Sequence, residues 1–436
     1  MWSTLETVWQ FVLAKRRLAR LEGESLKAFQ DARARTLARW VQANSRFYRE
    51  HWTEHDLERW HELPTVDKSL MMANFTEFNT RGITRESAFK VALRAERDRD
   101  FSPTLNGCTV GLSSGTSGHR GLFLVSPLEQ ASWAGVILAR AMPRLRISGE
   151  RIAFFLRSNS NLYQQVGRGR WLQFCYFDLM NLLWDSVRAL NTLQPTILVA
   201  PPSMLEMLAR ERLAGRLQIK PETLISIAEV LEPQDRDRLE GVFRAPVRQI
   251  YQATEGLLAV SCEHNSLHLQ EDIVAVQLEP VLGSESRFTP IITDLWRRTQ
   301  PIIRYRLNDI LTLENTPCKC GSSWRALRQI EGRSDDVLEF ELAAGGLRPF
   351  FPDTIRRAIL LASSDILEYE VIQEQPGLLR VHLEVKPGSE TNVQASVTTN
   401  LTQTLEQYSC RPAKLEVVFG LPDRAANIKR RRIRRA

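Results

Sequence analysis

The sequence predicts an α/β protein in two parts, a large N-terminal domain over residues 1–333 and a small α+β C-terminal domain over residues 334–436. Three observations carry this prediction. Between about Val110 and Tyr251, strand-like apolar runs such as "RIAFFL" and "PTILVA" alternate with helical stretches such as "MLEMLARERL", the pattern of mostly parallel sheets layered with helices. After Tyr251 the pattern turns to alternation in "LHLQEDIVAVQLEPV" and "FTPIITDL", which predicts antiparallel strands or a small β-barrel-like part. At 436 residues with 43% apolar content, the chain also exceeds what one core ordinarily fills.

Residues 1–100 read as a helical layer, because Leu37, Trp40, Val41 and Tyr48 recur at helical spacing. "LPTVDKSLMMANF" opens a further helix with Asp67 or Thr65 as its cap. "LISIAEV" supplies another strand and "EPQDRDRLEGVF" another helix of the α/β region. In the C-terminal part, "LEYEVIQEQPGLLRVHLEVKPG" reads as a hairpin and "VQASVTTNLTQTLEQY" as a helix. There is no internal repeat or low-complexity tract.

No run of 18 or more apolar residues exists, which excludes a transmembrane helix. The first residues place their basic side chains after the apolar ones and carry Glu6 inside, the reverse of a secretory signal; they read as an amphipathic helix of a cytoplasmic protein. The net charge of +7 sits almost wholly in Ile428–Ala436, which holds six basic residues. The body is therefore near neutral, no nucleic-acid partner is indicated, and most of the basic end reads as solvated charge.

Six cysteines are too few for a disulfide scaffold in so long a chain, so reduced thiols with a metal-binding subset are expected. Cys318-Lys-Cys320-Gly is a knuckle whose two thiolates can reach one ion, and Cys262 with His268 offers two more ligands. Such a Cys₃His set would be a tetrahedral, structural zinc site, with His264 as a rival fourth ligand. Free thiols beside an exposed histidine are the plain alternative.

"GLSSGTSGHRGLFLVSP", from Gly111 to Pro127, is rich in glycine and hydroxyl residues. Backbone N–H groups freed by glycine can converge on phosphate oxygens, with Ser and Thr hydroxyls adding donors. It matches neither the Walker pattern nor the dinucleotide G-x-G-x-x-G, and alone it is as consistent with a turn.

Taken with three later segments, the loop resembles the Ser/Thr-Ser-Gly-Thr-Thr-Gly phosphate loop of the adenylate-forming superfamily of acyl-CoA synthetases, nonribosomal adenylation domains and luciferases. "YQATEG" at Tyr251–Gly256, "RYRLND" at Arg304–Asp309 and "EGRSDD" at Glu331–Asp336 follow in that superfamily's order. "VQANSRFYRE", "LPTVDKSLM" and "PCKCGSSWRALRQIEGRSDDVLEF" are similar to its phenylacetate-CoA ligase-like branch, and the resemblance covers nearly the whole chain. It implies a large adenylate-forming domain and a small, mobile C-terminal domain.

By this resemblance, Ser113, Ser114, Gly115, Thr116, Ser117 and Gly118 hold the β- and γ-phosphates of ATP, Thr254 touches the α-phosphate, and Glu255 binds Mg²⁺. Tyr251 stacks on adenine next to Gln252, with Ala228 and Glu229 lining the same pocket. Asp309 takes the ribose hydroxyls, and Arg333 reaches the ribose or phosphate. Lys429 falls at the position of the terminal catalytic lysine, and Asp335 at the hinge about which the small domain turns. The zinc ligand set Cys262, His268, Cys318 and Cys320 also resembles cysteine placement in part of the branch. Two departures stand out. The usual lysine after the loop is missing, with His119, Arg120 and Gly121 there instead, so that Arg120 is the candidate replacement; and Gln252 stands where the superfamily has glycine.

The implied activity is that of an ATP-dependent ligase that forms an acyl-AMP with release of pyrophosphate and passes the acyl group to CoA, from an aryl or arylacetic acid. An amide-forming ligase using an amine or amino acid, like indoleacetate-lysine synthetase, is the alternative acceptor chemistry. A catalytically degenerate nucleotide-binding protein is the non-enzymatic one. The acid pocket is expected along Ser158–Val166 and Trp171–Leu179, and a homodimer is compatible with this reading.

Overall fold

Helices Trp2–Arg20, Gly23–Asn44, Arg46–His51, Lys68–Ala73, Phe75–Phe78 and Arg85–Asp98 fill the first hundred residues. Their apolar spacing does what the sequence predicts, since Leu37, Val41 and Tyr48 are buried and Trp40 half-buried. Asp67, rather than Thr65, caps Lys68–Ala73 by accepting from the Leu70 N–H. Trp2–Arg20 lies against the helix Pro127–Ala141 so closely that a Cβ at Gly135 would stand 2.3 Å from the Thr7 carbonyl oxygen. Any larger residue at Gly135 forces the two helices apart.

In this computed structural model the described residues are 2–113, 121–141, 149–156, 168–169, 172–281, 284–333, 336–422 and 431–436. They form two units, residues 1–307 with 313–328, and residues 308–312 with 329–436.

In the first unit six strands lie in the order Arg168–Gly169, Leu172–Asp178, Glu150–Leu156, Ile197–Ala200, Thr223–Ser226 and Val247–Ala253. All junctions from Leu172–Asp178 to Val247–Ala253 are parallel. Helices Leu183–Leu193, Pro202–Leu213 and Pro233–Phe243 bury Leu190, Leu205, Leu208 and Leu239 against Phe155, Leu198, Leu224 and Val247. The run "LISIAEV" leaves the sheet at Ser226, and Ala228 takes a left-handed φ of 66°. Val247–Ala253 is the point of change, with a parallel neighbour on one side and the antiparallel strand Gly256–Ser261 on the other. The alternating segments after Tyr251 thus extend the parallel sheet directly, and Val274–Pro280 pairs antiparallel with Arg287–Asp294 as alternation predicts.

The second unit has strands Lys414–Phe419, Leu378–Val385, Ile366–Gln375 and Ile433–Arg435 in that order, with helices Pro352–Leu360 and Glu390–Gln407. Ile355, Ile359, Val397 and Leu401 pack on Val371, Val381 and Leu383. One expectation is corrected here, because the described part of the basic end is not solvated charge. Ile433 is buried and pairs parallel with Val371, while Arg432 meets Glu368 at 2.7 Å and Arg434 meets Glu370 at 3.2 Å. The alternation of Arg432, Ile433 and Arg434 is that of an edge strand with one apolar contact and two paired charges. Among the described residues no helix is long and apolar enough to cross a membrane.

Candidate active site and candidate metal centre

Thr254 and Glu255 form the two-residue turn between strands Val247–Ala253 and Gly256–Ser261, with Ala253 paired to Gly256. The turn puts both side chains at the end of the sheet, half-buried, and the Thr254 hydroxyl donates to Glu255 Oε2 at 2.8 Å. Arg297 grips the turn from below by donating to the Thr254 carbonyl at 2.6 Å. Its other guanidinium nitrogen donates to the Leu124 carbonyl at 3.1 Å and to Gln300 Oε1 at 3.2 Å. Gln300 in turn accepts from the Leu124 N–H at 2.8 Å and donates to the Leu122 carbonyl at 3.1 Å. Leu122–Val125 is the strand that returns from the glycine-rich loop, so Arg297 and Gln300 bind that strand and the Thr254–Glu255 turn into one rigid piece.

Two carboxylates, Asp294 buried and Glu129 half-buried, hold the segment that carries this clamp. Asp294 accepts from the backbone N–H groups of Trp296 and Arg297 at 2.9 and 3.1 Å, yet burial dominates and pushes its carboxyl up to about 6. Glu129 accepts from the N–H groups of Arg298 and Thr299 at 2.7 and 2.8 Å and from Ser126. Burial works against its charge, but hydrogen bonds from Thr299, Ser126 and Arg298 hold its carboxyl below the ordinary range. Tyr305 is buried beside the turn; burial first, and the Glu255 charge second, drive its phenol far above the usual value.

The glycine-rich loop leaves the sheet as a hairpin between Cys108–Leu112 and Leu122–Val125, with Leu112 opposite Leu122. Ser113 and Gly121 close its base, the Ser113 N–H donating to the Gly121 carbonyl at 2.7 Å and the Gly121 N–H to Ser113 Oγ at 2.8 Å. Ser114, Gly115, Thr116, Ser117, Gly118, His119 and Arg120 lie outside the described residues, as do Asp335, Lys429, Ser158–Val166 and Trp171.

Tyr251 and Gln252 are half-buried on the strand that leads into the turn. Ala228 precedes Glu229, whose carboxylate accepts from the Ser203 N–H and hydroxyl, each at 3.1 Å, in the first turn of helix Pro202–Leu213. This anchoring suits the helix's positive end and shows one thing that Glu229 does. In the second unit, Asp309 and Arg333 approach to 3.9 Å, and the Arg333 N–H donates to Asp336, which pairs with Arg431. Next to the expected acid pocket, Phe154 and Phe174 lie 5.4 Å apart and Phe155 stacks on Phe177 at 4.6 Å.

The cysteine–histidine set converges. The ligand atoms of Cys262, His268, Cys318 and Cys320 all lie within 4.8 Å of one another. Cys262 and Cys318 sulfurs are 3.6 Å apart, and Cys320 Sγ is 3.4 Å from His268 Nε2. His268 is 5% exposed, and its Nδ1 lies 2.9 Å from the Trp324 carbonyl, an acceptor that fixes Nδ1 as the protonated nitrogen and leaves Nε2 as the lone-pair donor toward the thiols. Burial opposes charge on Cys318, but the Cys320 backbone N–H, the Ser266 hydroxyl and His268 outweigh it and lower the thiol to about 6. Cys320, by burial first and its neighbouring thiols after, is pushed up to about 12. Three sulfurs and one imidazole fit a tetrahedral zinc ion. The His264 N–H lies 3.4 Å from Cys262 Sγ, but its side chain is not in the set.

Arg297, Gln300, Asp294, Glu129 and Tyr305 were not singled out by sequence. For all but Glu129, the local signal was the density of polar and charged residues in "TDLWRRTQPIIRYR", otherwise a segment of strand-like apolar character.

No known family profile matches the chain. Among curated proteins it is 21% identical over 389 residues to Protein CapK of Staphylococcus aureus, covering 85% of this chain and 81% of that protein. Among solved structures it matches 2-hydroxyisobutyryl-CoA ligase in the postadenylation state with a TM-score of 0.71 and 17% identity, over 97% of this chain and 91% of the other. The chain has the adenylate-forming ligase fold. The GH3.15 acyl acid amido synthetase superposes with a TM-score of 0.60 and 13% identity, over 90% and 86% of the two chains. The anthranilate CoA ligase AuaEII, in complex with anthranoyl-AMP, does so with a TM-score of 0.51 and 14% identity, over 73% and 65%.

Proposed function

We propose that this protein is an ATP-dependent carboxylate-activating ligase. The observation that carries the reading is the single buried clamp, Arg297 with Gln300, that joins the Thr254–Glu255 turn to the return strand of the glycine-rich loop. A carboxylate oxygen of the acid attacks the α-phosphorus of ATP, the bond to the β-phosphate oxygen breaks, and pyrophosphate leaves. Ser113, Ser114, Gly115, Thr116, Ser117 and Gly118 hold the outer phosphates, Thr254 the α-phosphate and Glu255 a magnesium ion, an oxygen-seeking cation suited to a carboxylate. Tyr251, Gln252, Ala228 and Glu229 border the adenine; Asp309 and Arg333 serve the ribose. Lys429 stabilises the charge that builds between carboxylate and α-phosphate, and the domain beyond Asp335 moves between the two half-reactions.

In the second step the CoA sulfur attacks the acyl carbon, AMP leaves with the bonding pair, and the thiol proton passes to solvent. The CoA ligases among the similar folds support CoA as acceptor. The GH3 amido synthetase supports the amine alternative, in which nitrogen attacks the same carbon. The Phe154–Phe174 pair beside the expected pocket supports an aryl or arylacetic acid, whereas Phe155 and Phe177 belong to the core under the helices. Zinc is held by Cys262, His268, Cys318 and Cys320 in a structural role, and the unpaired cysteines suit a reducing cytoplasm.

The test is to incubate the protein with ATP, Mg²⁺ and a panel of acids, with CoA, amino acids or hydroxylamine in parallel, and to identify products by mass. Thioester with CoA, or amide with an amine, assigns the acceptor; no acyl product from any acid removes the ligase reading.

A further inference from the structure

Helix Trp2–Arg20 turns one face to the protein and the other to solvent. On the inner face the Thr7 hydroxyl donates to the Ala131 carbonyl at 3.2 Å, and the backbone passes so close to Gly135 that no Cβ fits there. Further along, the Ala14 carbonyl accepts from Arg140 at 2.8 Å, and Arg17 pairs with the buried Asp272 at 2.7 Å. These contacts fix the helix on Pro127–Ala141 and decide which of its side chains stay outside.

The side chains left outside form one stripe. Leu5, Val8, Trp9 and Val12 recur at i, i+3, i+4 and i+7; Leu5 is 62% exposed, Val8 57% and Trp9 55%. Arg16 continues the stripe one turn beyond Val12, and Arg20 one turn beyond that. Both are exposed, and neither meets an acid among the described residues. A helix already docked by its inner face gains nothing from apolar side chains on its outer one, so this contiguous patch marks a surface that something else covers.

Charge narrows what that is. The helix's only acid, Glu6, is turned inward, accepting from Gln10 and from the Ser132 hydroxyl, each at 2.9 Å. Glu22 and Glu24 open the next helix, Gly23–Asn44, where they suit its positive end, and Glu24 also pairs with Lys27 at 2.8 Å. The outer face of Trp2–Arg20 is therefore apolar and cationic with no acid of its own. A second copy of the chain would bring the same face, setting its guanidiniums against apolar side chains or against each other with nothing to receive them. An anionic lipid surface offers both complements at once, acyl chains for the stripe and phosphates for the arginines.

We propose that helix Trp2–Arg20 docks the protein on anionic lipid: it lies flat, with Leu5, Val8, Trp9 and Val12 at the acyl boundary and Arg16 and Arg20 at the headgroup phosphates. Trp9 suits this depth, since an indole has an apolar body and a polar N–H, and the long arginine stems let the charges stay in the headgroup layer. The face is separate from the turn and the loop, so the proposal stands apart from the ligase reading.

The test measures cosedimentation of the full chain with vesicles of phosphatidylcholine alone and of phosphatidylcholine with phosphatidylglycerol, at low and high salt. The wild type should prefer the anionic vesicles by about tenfold or more, and high salt should remove most of that preference. Arg16→Gln with Arg20→Gln should cut binding to anionic vesicles by about 10- to 30-fold, each charge being worth roughly fivefold. Val8→Ser with Trp9→Ser should weaken it by about tenfold or more, and melting temperatures should hold in both double variants because the stripe touches no core. No binding by the wild type, equal binding to the two kinds of vesicle, or binding that either double variant leaves intact overturns the proposal. So does a wild-type dimer in lipid-free solution that Val8→Ser with Trp9→Ser converts to monomer, which would assign the stripe to a second copy. Should a variant unfold, the wild type's salt dependence decides: vesicle binding that salt does not weaken contradicts the proposal.

Discussion

At the cysteine–histidine cluster, four donor atoms point at one another within 4.8 Å, and the one imidazole is aimed from behind by the Trp324 carbonyl. At the Thr254–Glu255 turn, the buried bonds go instead to the backbone: Arg297 holds the Thr254 carbonyl, and Gln300 holds both polar groups around the return strand. The side chains of Thr254 and Glu255 are left half-buried at the end of the sheet, bonded to each other. A structural metal site closes its side chains around one ion. A substrate site fixes the backbone and leaves side-chain charge available, because that charge must meet a ligand that comes and goes.

If this contrast is right, damage to the two regions separates stability from turnover. The largest effect is expected from Cys318→Ser or removal of zinc, which should cost about 3 kcal/mol or more of folding stability by urea titration, since thiolates forced together lose the ion that binds them. Nucleotide affinity should change less than twofold, and metal analysis of protein purified without chelator should find one zinc per chain. A metal-free, fully stable protein would break the comparison.

Glu255→Gln should act in the opposite sense, slowing acid-dependent AMP formation by about a hundredfold with the melting temperature held, because it removes one charged oxygen ligand and little packing. Unchanged dependence on magnesium would take Glu255 out of the site. Arg297→Met sharpens the contrast further. It leaves the carbonyls of Thr254 and Leu124 without their donor, so a stability loss of about 1–3 kcal/mol is expected together with roughly tenfold slower turnover, as the turn shifts relative to the loop. A loss of stability with normal turnover would mean that the clamp serves the core alone.

The smallest effect on stability belongs to the second unit. Asp309 and Arg333 approach only to 3.9 Å and are partly exposed, so Arg333→Ala should alter unfolding free energy by under about 1 kcal/mol. Its effect should appear in the KM for ATP.

The legible parts of this protein were those whose signal is local. Thr254 and Glu255 came through the resemblance of the contiguous run "YQATEG", the cysteine knuckle has its ligands two residues apart, and both the parallel and the antiparallel strands follow from apolar periodicity. The clamp was not legible because its partners are distant in sequence, Arg297 reaching Leu124 over 173 residues and Gln300 over 176. Nothing in "WRRTQ" tells that Arg297 is buried while its neighbour Arg298 lies over the Trp40 ring. The terminal arginines misled by composition: six basic residues suggest solvated charge, whereas the single Ile433 among them docks a strand and brings Arg432 and Arg434 to Glu368 and Glu370.

The central claim, that chemistry occurs at the α-phosphate held between the turn and the loop, is tested most directly by ATP–pyrophosphate exchange. With Mg²⁺ and an accepted acid but no acceptor, labelled pyrophosphate should enter ATP in an acid-dependent manner, and Glu255→Gln should suppress it. Acid-dependent formation of ADP and phosphate, with no label returning to ATP, would place the attack at the γ-phosphate and contradict the account.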